Sequence, residues 1–371
     1  MTSTWNLFTL WIKNTFNSDV FFSTEMRRSL LYRFLYILIV TVIFMMVVGA
    51  VTRLTDSGLS IPEWPLINGT LMYPITDADW DAVFTTYKQY PQYHLIFKGM
   101  TVDEFKFIFF FEYFHRSITT LVSIWLLFIG LLIVFNKEKR SRYFTRFLVI
   151  FGLLILQAFV GYYMVKSGLK ENMAAVSQYM LMFHLSTAML FLACILWLMW
   201  KVRYEEFITK AEHTSLTKFA SFVFVMAFIQ FMSGALVAGT KAGYHFTDWP
   251  LMNGEWIPTG VWASHKSVVG NLFENIATIQ FTHRTIAYTL CAVVLVFIKK
   301  VKNGMDLTQA QLKSVNLLYL TLGIQVLLGI TTLMLSVPVA LGALHQFFGI
   351  MLLINLLYVN FQLRYGKTFG L

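Results

Sequence analysis

The chain has 371 residues, 57% of them hydrophobic and only 13% charged, about half the charged share of a soluble domain. Its net charge of +10 is unevenly placed: with the N-terminus inside, inner segments hold 19 Lys and Arg in 88 residues and outer loops hold 8 in 107. That positive-inside pattern points to a lipid bilayer as partner and excludes nucleic acid.

Apolar runs of about 20 residues cross a bilayer as helices, and eight such runs are present: 34–51, 107–135, 147–165, 179–200, 219–239, 276–298, 315–335 and 339–361. Residues 1–33 precede them. This segment lacks the features of a signal peptide, and Lys13 is its only basic residue before Arg27, which argues against a transit peptide. It reads as an amphipathic lead-in with Trp5, Phe8, Trp11 and Phe16 at the interface. The predicted location is a bacterial cytoplasmic (inner) membrane, multi-pass, with both termini cytoplasmic.

Gly49 lies near the end of the first span, and Gly58 and Trp64-Pro-Leu-Ile-Asn-Gly69 follow in a long outer loop, 52–106. The second span carries Glu112, Tyr113, Phe114, His115 and Arg116. A short basic inner loop, Lys137–Arg146, leads to the third span with Gln157 and Gly161. The fourth opens on His184, and the inner loop 201–218 follows it.

The pattern then repeats. The fifth span leads through Gly234, Gly243 and Trp249-Pro-Leu-Met-Asn-Gly254 into the outer loop 240–275. The sixth span holds Gln280, His283 and Arg284, the seventh Gln325 and Gly329, and the eighth opens on His345. Four spans per unit leave both units facing the same way, the arrangement of parallel repeats. The predicted fold is all-α: eight transmembrane helices as two parallel-repeat four-helix bundles, residues 1–200 and 201–371, capped by the long outer loops. All seven prolines lie in outer loops, and Cys194 and Cys291 lie inside apolar spans, as small core residues would.

His115, His184, His283 and His345 each lie roughly 8–12 Å below the outer boundary, at 1.5 Å per residue. An ionisable group at that depth is costly and marks function. Two imidazoles per unit, without thiolate or carboxylate to complete a tetrahedral metal site, suit the two axial positions of a heme iron. Gly161, Gly329 and Gly349 allow either a flat macrocycle or a neighbouring helix to approach. Arg53, Arg116 and Arg284 are candidates for pairing with a heme propionate or with protein groups. Arg53, Trp64 and Trp249 are candidates for a lid, with interface anchoring the competing reading of the tryptophans. His94, His213, His245 and His265 fall in loops and are read as solvated.

One feature breaks the symmetry. Glu112 precedes His115 by three residues, whereas the matching position before His283 is Gln280. A carboxylate beside only one pair suggests a reacting porphyrin in the N-terminal half and a helper in the other. A structural Glu–Arg pair is the alternative.

The segments Thr52-Arg-Leu-Thr-Asp-Ser-Gly-Leu-Ser-Ile-Pro-Glu-Trp64, Glu112-Tyr-Phe-His-Arg116, Thr282-His-Arg284 and Leu344-His-Gln-Phe-Phe-Gly349 resemble the heme A synthase family, and the likeness runs along nearly the whole chain. The resemblance implies oxidation of the ring D methyl of heme O to a formyl group, making heme A for terminal oxidases. It implies resident heme b on His283 and His345, and substrate heme O on His115 and His184 with Glu112 as catalytic residue. It also implies a heme O synthase as donor and a separate electron-transfer partner. A homo-oligomer is compatible with the chain. The family branch with cysteine pairs in the outer loops does not match. Two rival functions fit the same histidines: a bis-heme b-type electron-transfer cytochrome, and a heme transporter or chaperone.

Overall fold

The computed structural model describes residues 24–365, apart from 65–66, 68, 70–72, 172, 206–207, 209–213 and 264–266. The lead-in tryptophans and phenylalanines at 5, 8, 11 and 16 lie outside the described residues. Eight of the described helices are long and apolar enough to cross a membrane. In order they are Thr24–Leu54, Val102–Val134, Lys137–Gly168, Gln178–Arg203, Ser215–Gly239, Ile276–Gly304, Gln309–Met334 and Val339–Tyr365. Each covers one expected span to within a residue.

Several helices run past the apolar run that announces them. The segment Lys137–Arg146, expected as an inner loop, forms the first turns of the third span, and only Phe135 and Asn136 connect it to the second. Asn136 caps these turns by accepting from the Lys139 amide at 3.0 Å. Arg142 then pairs with Glu138 one turn away at 3.3 Å and with Glu205 beyond the fourth span. Hydropathy ends at the membrane boundary, but a capped, charge-paired helix does not.

The second span likewise begins at Val102, under a capping box between Thr101 and Glu104. Its extra outer turns give the first outer loop something to pack on. That loop holds helices Asp77–Tyr87 and Pro91–Leu95. Trp80, Phe84 and Tyr87 bury themselves against Phe105 and Phe109, with Phe84 stacked on Phe105 at 4.9 Å. An aromatic cap therefore sits over the outer end of the N-terminal half.

The first, fourth, fifth and eighth spans pack on one another at the centre. The second and third flank them on one side, and the sixth and seventh on the other. Leu35, Leu38 and Val42 of the first span meet Met189, Leu192 and Ile195 of the fourth, Val223 of the fifth, and Ile350 and Leu353 of the eighth in one buried core. Outward faces stay apolar, as Leu121, Ile124 and Leu127 show. Between helices in lipid, close packing rather than water exclusion supplies the cohesion.

Candidate site: four cradled histidines

Each candidate histidine fits against a glycine of the preceding span. A β-carbon at Gly49 would stand 3.0 Å from Cε1 of His115, one at Gly161 3.0 Å from His184, one at Gly234 3.3 Å from His283, and one at Gly329 2.9 Å from His345. An added β-carbon at any of the four would push on the imidazole. Gly161 and Gly329 thus admit an imidazole rather than a macrocycle, and Gly349 admits the Gln325 carboxamide, 3.2 Å away. His184, His283 and His345 follow the first residue of their helices by six, seven and six positions. His115 lies thirteen positions into its helix because that helix extends outward into the cap.

A carboxamide one turn before the glycine reaches three of the four rings. Gln157 Nε2 lies 3.1 Å from His184 Nδ1, Gln230 Nε2 lies 3.1 Å from His283 Nδ1, and Gln325 Nε2 lies 3.4 Å from His345 Nε2. Thr187 donates to Gln157 Oε1, and Ser233 Oγ sits 2.8 Å from His283 Nδ1. The sequence reading took Gln157 and Gln325 only as marks of the repeat and did not reach Gln230. Their signal was present in the Gln-x-x-x-Gly spacing at 157–161, 230–234 and 325–329.

Glu112 is buried, 3% exposed, and fully engaged. Ser60 Oγ donates to its Oε2 at 2.7 Å, the Ile61 amide donates to the same oxygen at 2.8 Å, and Arg116 pairs with Oε1. Arg116 also donates to the Ile61 carbonyl at 2.7 Å. The second half repeats the clasp without a carboxylate. There Gln280 donates to the Phe246 carbonyl at 2.7 Å, and Arg284 donates to Phe246 and Leu251 carbonyls at 3.1 and 2.8 Å. Both arginines therefore tie an outer loop to a span.

Arg53 bonds across the molecule. It donates to Asp56 at 2.9 Å and to the Ala238 and Gly239 carbonyls at 2.9 and 3.3 Å. Lys241 meets the other oxygen of Asp56 at 2.8 Å. Gln92 links this knot to the cap, donating to the Asp56 carbonyl at 2.8 Å and accepting from Tyr87 at 2.9 Å. Burial, with the charges of Glu112 and Asp56, pushes the Tyr87 phenol well above its ordinary range. It stays a neutral donor.

A family model described as "Cytochrome oxidase assembly protein" matches residues 32–357. The chain is 38% identical over 333 residues to the heme A synthase of Nitrosospira multiformis, spanning 89% of this chain and 92% of that one. It is 37% identical over 330 residues to that of Flavobacterium johnsoniae, spanning 87% and 95%. With that of Nitrosomonas eutropha it shares 40% over 319 residues, spanning 85% and 88%. The chain belongs to the heme A synthase family.

For a heme A synthase family member the test is whether these residues suit a porphyrin, and they do. All four imidazoles are only half-buried, so each keeps part of its ring free of protein contact. The spans of His115 and His184 both pack on the first and third spans, and those of His283 and His345 both pack on the fifth and seventh, which groups the histidines as two pairs. His115 Nδ1 and His345 Nδ1 are buried polar atoms without a hydrogen-bond partner. Among the described residues no three His, Cys, Asp or Glu side chains gather as a metal cage. His94 and His245 are exposed on the outer layer; His213 and His265 lie outside the described residues. Trp64 stands over Arg116 at 5.5 Å, and Trp249 donates to Tyr288 at 3.1 Å. Each tryptophan thus leans on the span that carries a histidine of its own half.

Proposed function

We propose that the protein is a heme A synthase of a bacterial cytoplasmic membrane, oxidising the ring D methyl of heme O to a formyl group. The observation that carries this reading is the pairing of four glycine-cradled histidines with a carboxylate in one pair only. In the N-terminal half, residues 1–200, His115 and His184 hold the iron of the substrate heme O. In the C-terminal half, residues 201–371, His283 and His345 hold a resident heme b. Bound there, heme b supplies one-electron transfer.

Glu112 lies one helical turn outward from His115, on the same face. Withdrawing electrons from a methyl on a conjugated macrocycle leaves positive charge on that carbon. A fixed carboxylate stabilises it or takes a proton from attacking water. Two rounds of hydroxylation give a geminal diol, which loses water to become the aldehyde. Arg116, Ser60 and the Ile61 amide hold the carboxylate in one place, so little reorganisation accompanies the charge change. A heme O synthase delivers the substrate, and a separate redox partner takes the electrons.

The test is pigment analysis of the purified full-length protein, followed by incubation with heme O. Heme b together with heme O or its hydroxylated forms is the expected content, with heme A as product. Two unmodified b hemes that cycle redox state without converting heme O would make the chain an electron-transfer cytochrome instead.

A further inference from the structure

We propose that Met45 makes His115 the releasable ligand of the substrate porphyrin, so that heme in the N-terminal half exchanges while heme in the C-terminal half stays. This rests on the assignment of the two halves made above.

Each odd-numbered span presents the same device, a glycine that cradles the histidine and, four residues earlier, a side chain on the same helix face. That side chain is Gln157, Gln230 or Gln325 in the third, fifth and seventh spans, and Met45 in the first. The three carboxamides lie 3.1–3.4 Å from a nitrogen of their ring. Met45 has only a thioether, which accepts from Thr119 Oγ at 3.5 Å and is a weak acceptor with nothing to donate. His115 Nδ1 is buried and without a partner.

His345 Nδ1 also lacks a partner, yet Gln325 Oε1 beside it is an unpaired acceptor. A turn of the ring or of the amide joins the two, and such orientations are set by the hydrogen-bond network. The difference between His115 and His345 is therefore the side chain.

A ligating imidazole is oriented, and its basicity raised, by an acceptor on its second nitrogen; loss of that acceptor typically weakens binding about 10- to 100-fold. As placed, each carboxamide turns its Nε2 to the ring; a half-turn of the amide brings Oε1, its acceptor, to the N–H of a ligated ring, which a thioether cannot match. In the C-terminal half both ligands have such a carboxamide, Gln230 and Gln325, whereas in the N-terminal half only His184 does. A cofactor that stays suits two supported ligands. A substrate that must enter and leave suits one.

The experiment follows heme transfer from detergent-purified full-length protein, loaded with heme b and heme O, to excess apomyoglobin. Wild type should lose heme O in a fast phase and heme b in a slow one. Met45→Gln should slow the heme O phase about tenfold and leave the heme b phase unchanged, whereas Met45→Leu should match wild type. Gln325→Met should speed the heme b phase about tenfold, an independent reading should Met45→Gln fail to fold. Unaltered heme O release from folded Met45→Gln overturns the proposal, as does equal slowing by Met45→Leu or unaltered heme b release from Gln325→Met. Heme A formation by wild type is measured in the same preparation. If wild type makes heme A and the variants release heme alike, only the present proposal falls; if it makes none, the proposed function falls.

Discussion

Glu112 and Gln280 occupy matching places and both brace an outer loop, but only Glu112 carries charge into the site. Glu112→Gln leaves Arg116 without its counter-ion. Arg116 keeps the Ile61 carbonyl, so the stability loss should be on the order of 2 kcal/mol, below the 3–5 kcal/mol of a wholly buried broken pair. The folded variant should retain both hemes while heme O conversion falls at least tenfold, which is about 1.4 kcal/mol of transition-state stabilisation. Product analysis at a temperature where both proteins are folded checks this; near-normal heme A formation would leave Glu112 as a loop clasp only. The histidines give a separate prediction. His283→Ala or His345→Ala should each abolish resident heme b, read from the reduced spectrum, whereas His94→Ala and His245→Ala, on exposed loop positions, should preserve heme content.

At the scale of the helix, the working unit is a pair of adjacent spans, one offering glycine and the other histidine. Gly329→Ala places a methyl 2.9 Å from His345 Cε1, closer than two carbons tolerate, and the ring must move. Overpacking of this kind costs about 1–3 kcal/mol, and here it falls on a proposed ligand. The expected result is heme b affinity lowered at least tenfold in a protein that still folds. Gly323 of the same span is the control, since nothing lies within 4 Å of its added β-carbon. Gly323→Ala should keep full heme and gain up to about 1 kcal/mol from helix propensity. Heme titration of the two variants side by side decides the matter; equal affinity would remove the cradle from the account.

Across the whole molecule, the outer ends of the two halves are tied by Arg53, Asp56 and Lys241. Asp56 and Lys241 occupy equivalent places in the repeat, and both adopt left-handed backbone, with φ of 52° and 56°. One position supplies the anion and its twin the cation. Arg53 adds its charge at the C-terminal carbonyls of the fifth span, where a helix dipole favours a cation. Arg53→Leu should therefore lower the thermal midpoint, with a loss of roughly 1–3 kcal/mol for the uncapped carbonyls and the weakened Asp56 pair. Heme stoichiometry at low temperature should not change. Loss of one heme at an unchanged midpoint would instead make Arg53 a propionate ligand.

How much of this was legible beforehand follows from what each signal encodes. Apolar length and basic loops report the cost of placing groups in lipid, so the eight spans, the repeat and the four deep histidines could be read directly. Helix ends such as Lys137 and Val102 could not, because capping and charge pairing extend helices beyond the hydrocarbon. A Glu–Arg pair was among the readings of Glu112 and is present, but the loop partners of Arg53, Arg116 and Glu112 could not be read, since spacing along one helix does not say which loop folds back onto it. The Gln-x-x-x-Gly spacing was visible as a repeat, but its meaning depends on the face that each span turns to the next. By itself the sequence determined which residues enter the membrane; tertiary packing decided which glycine receives which histidine, because only helix-to-helix contact makes the lack of a β-carbon matter.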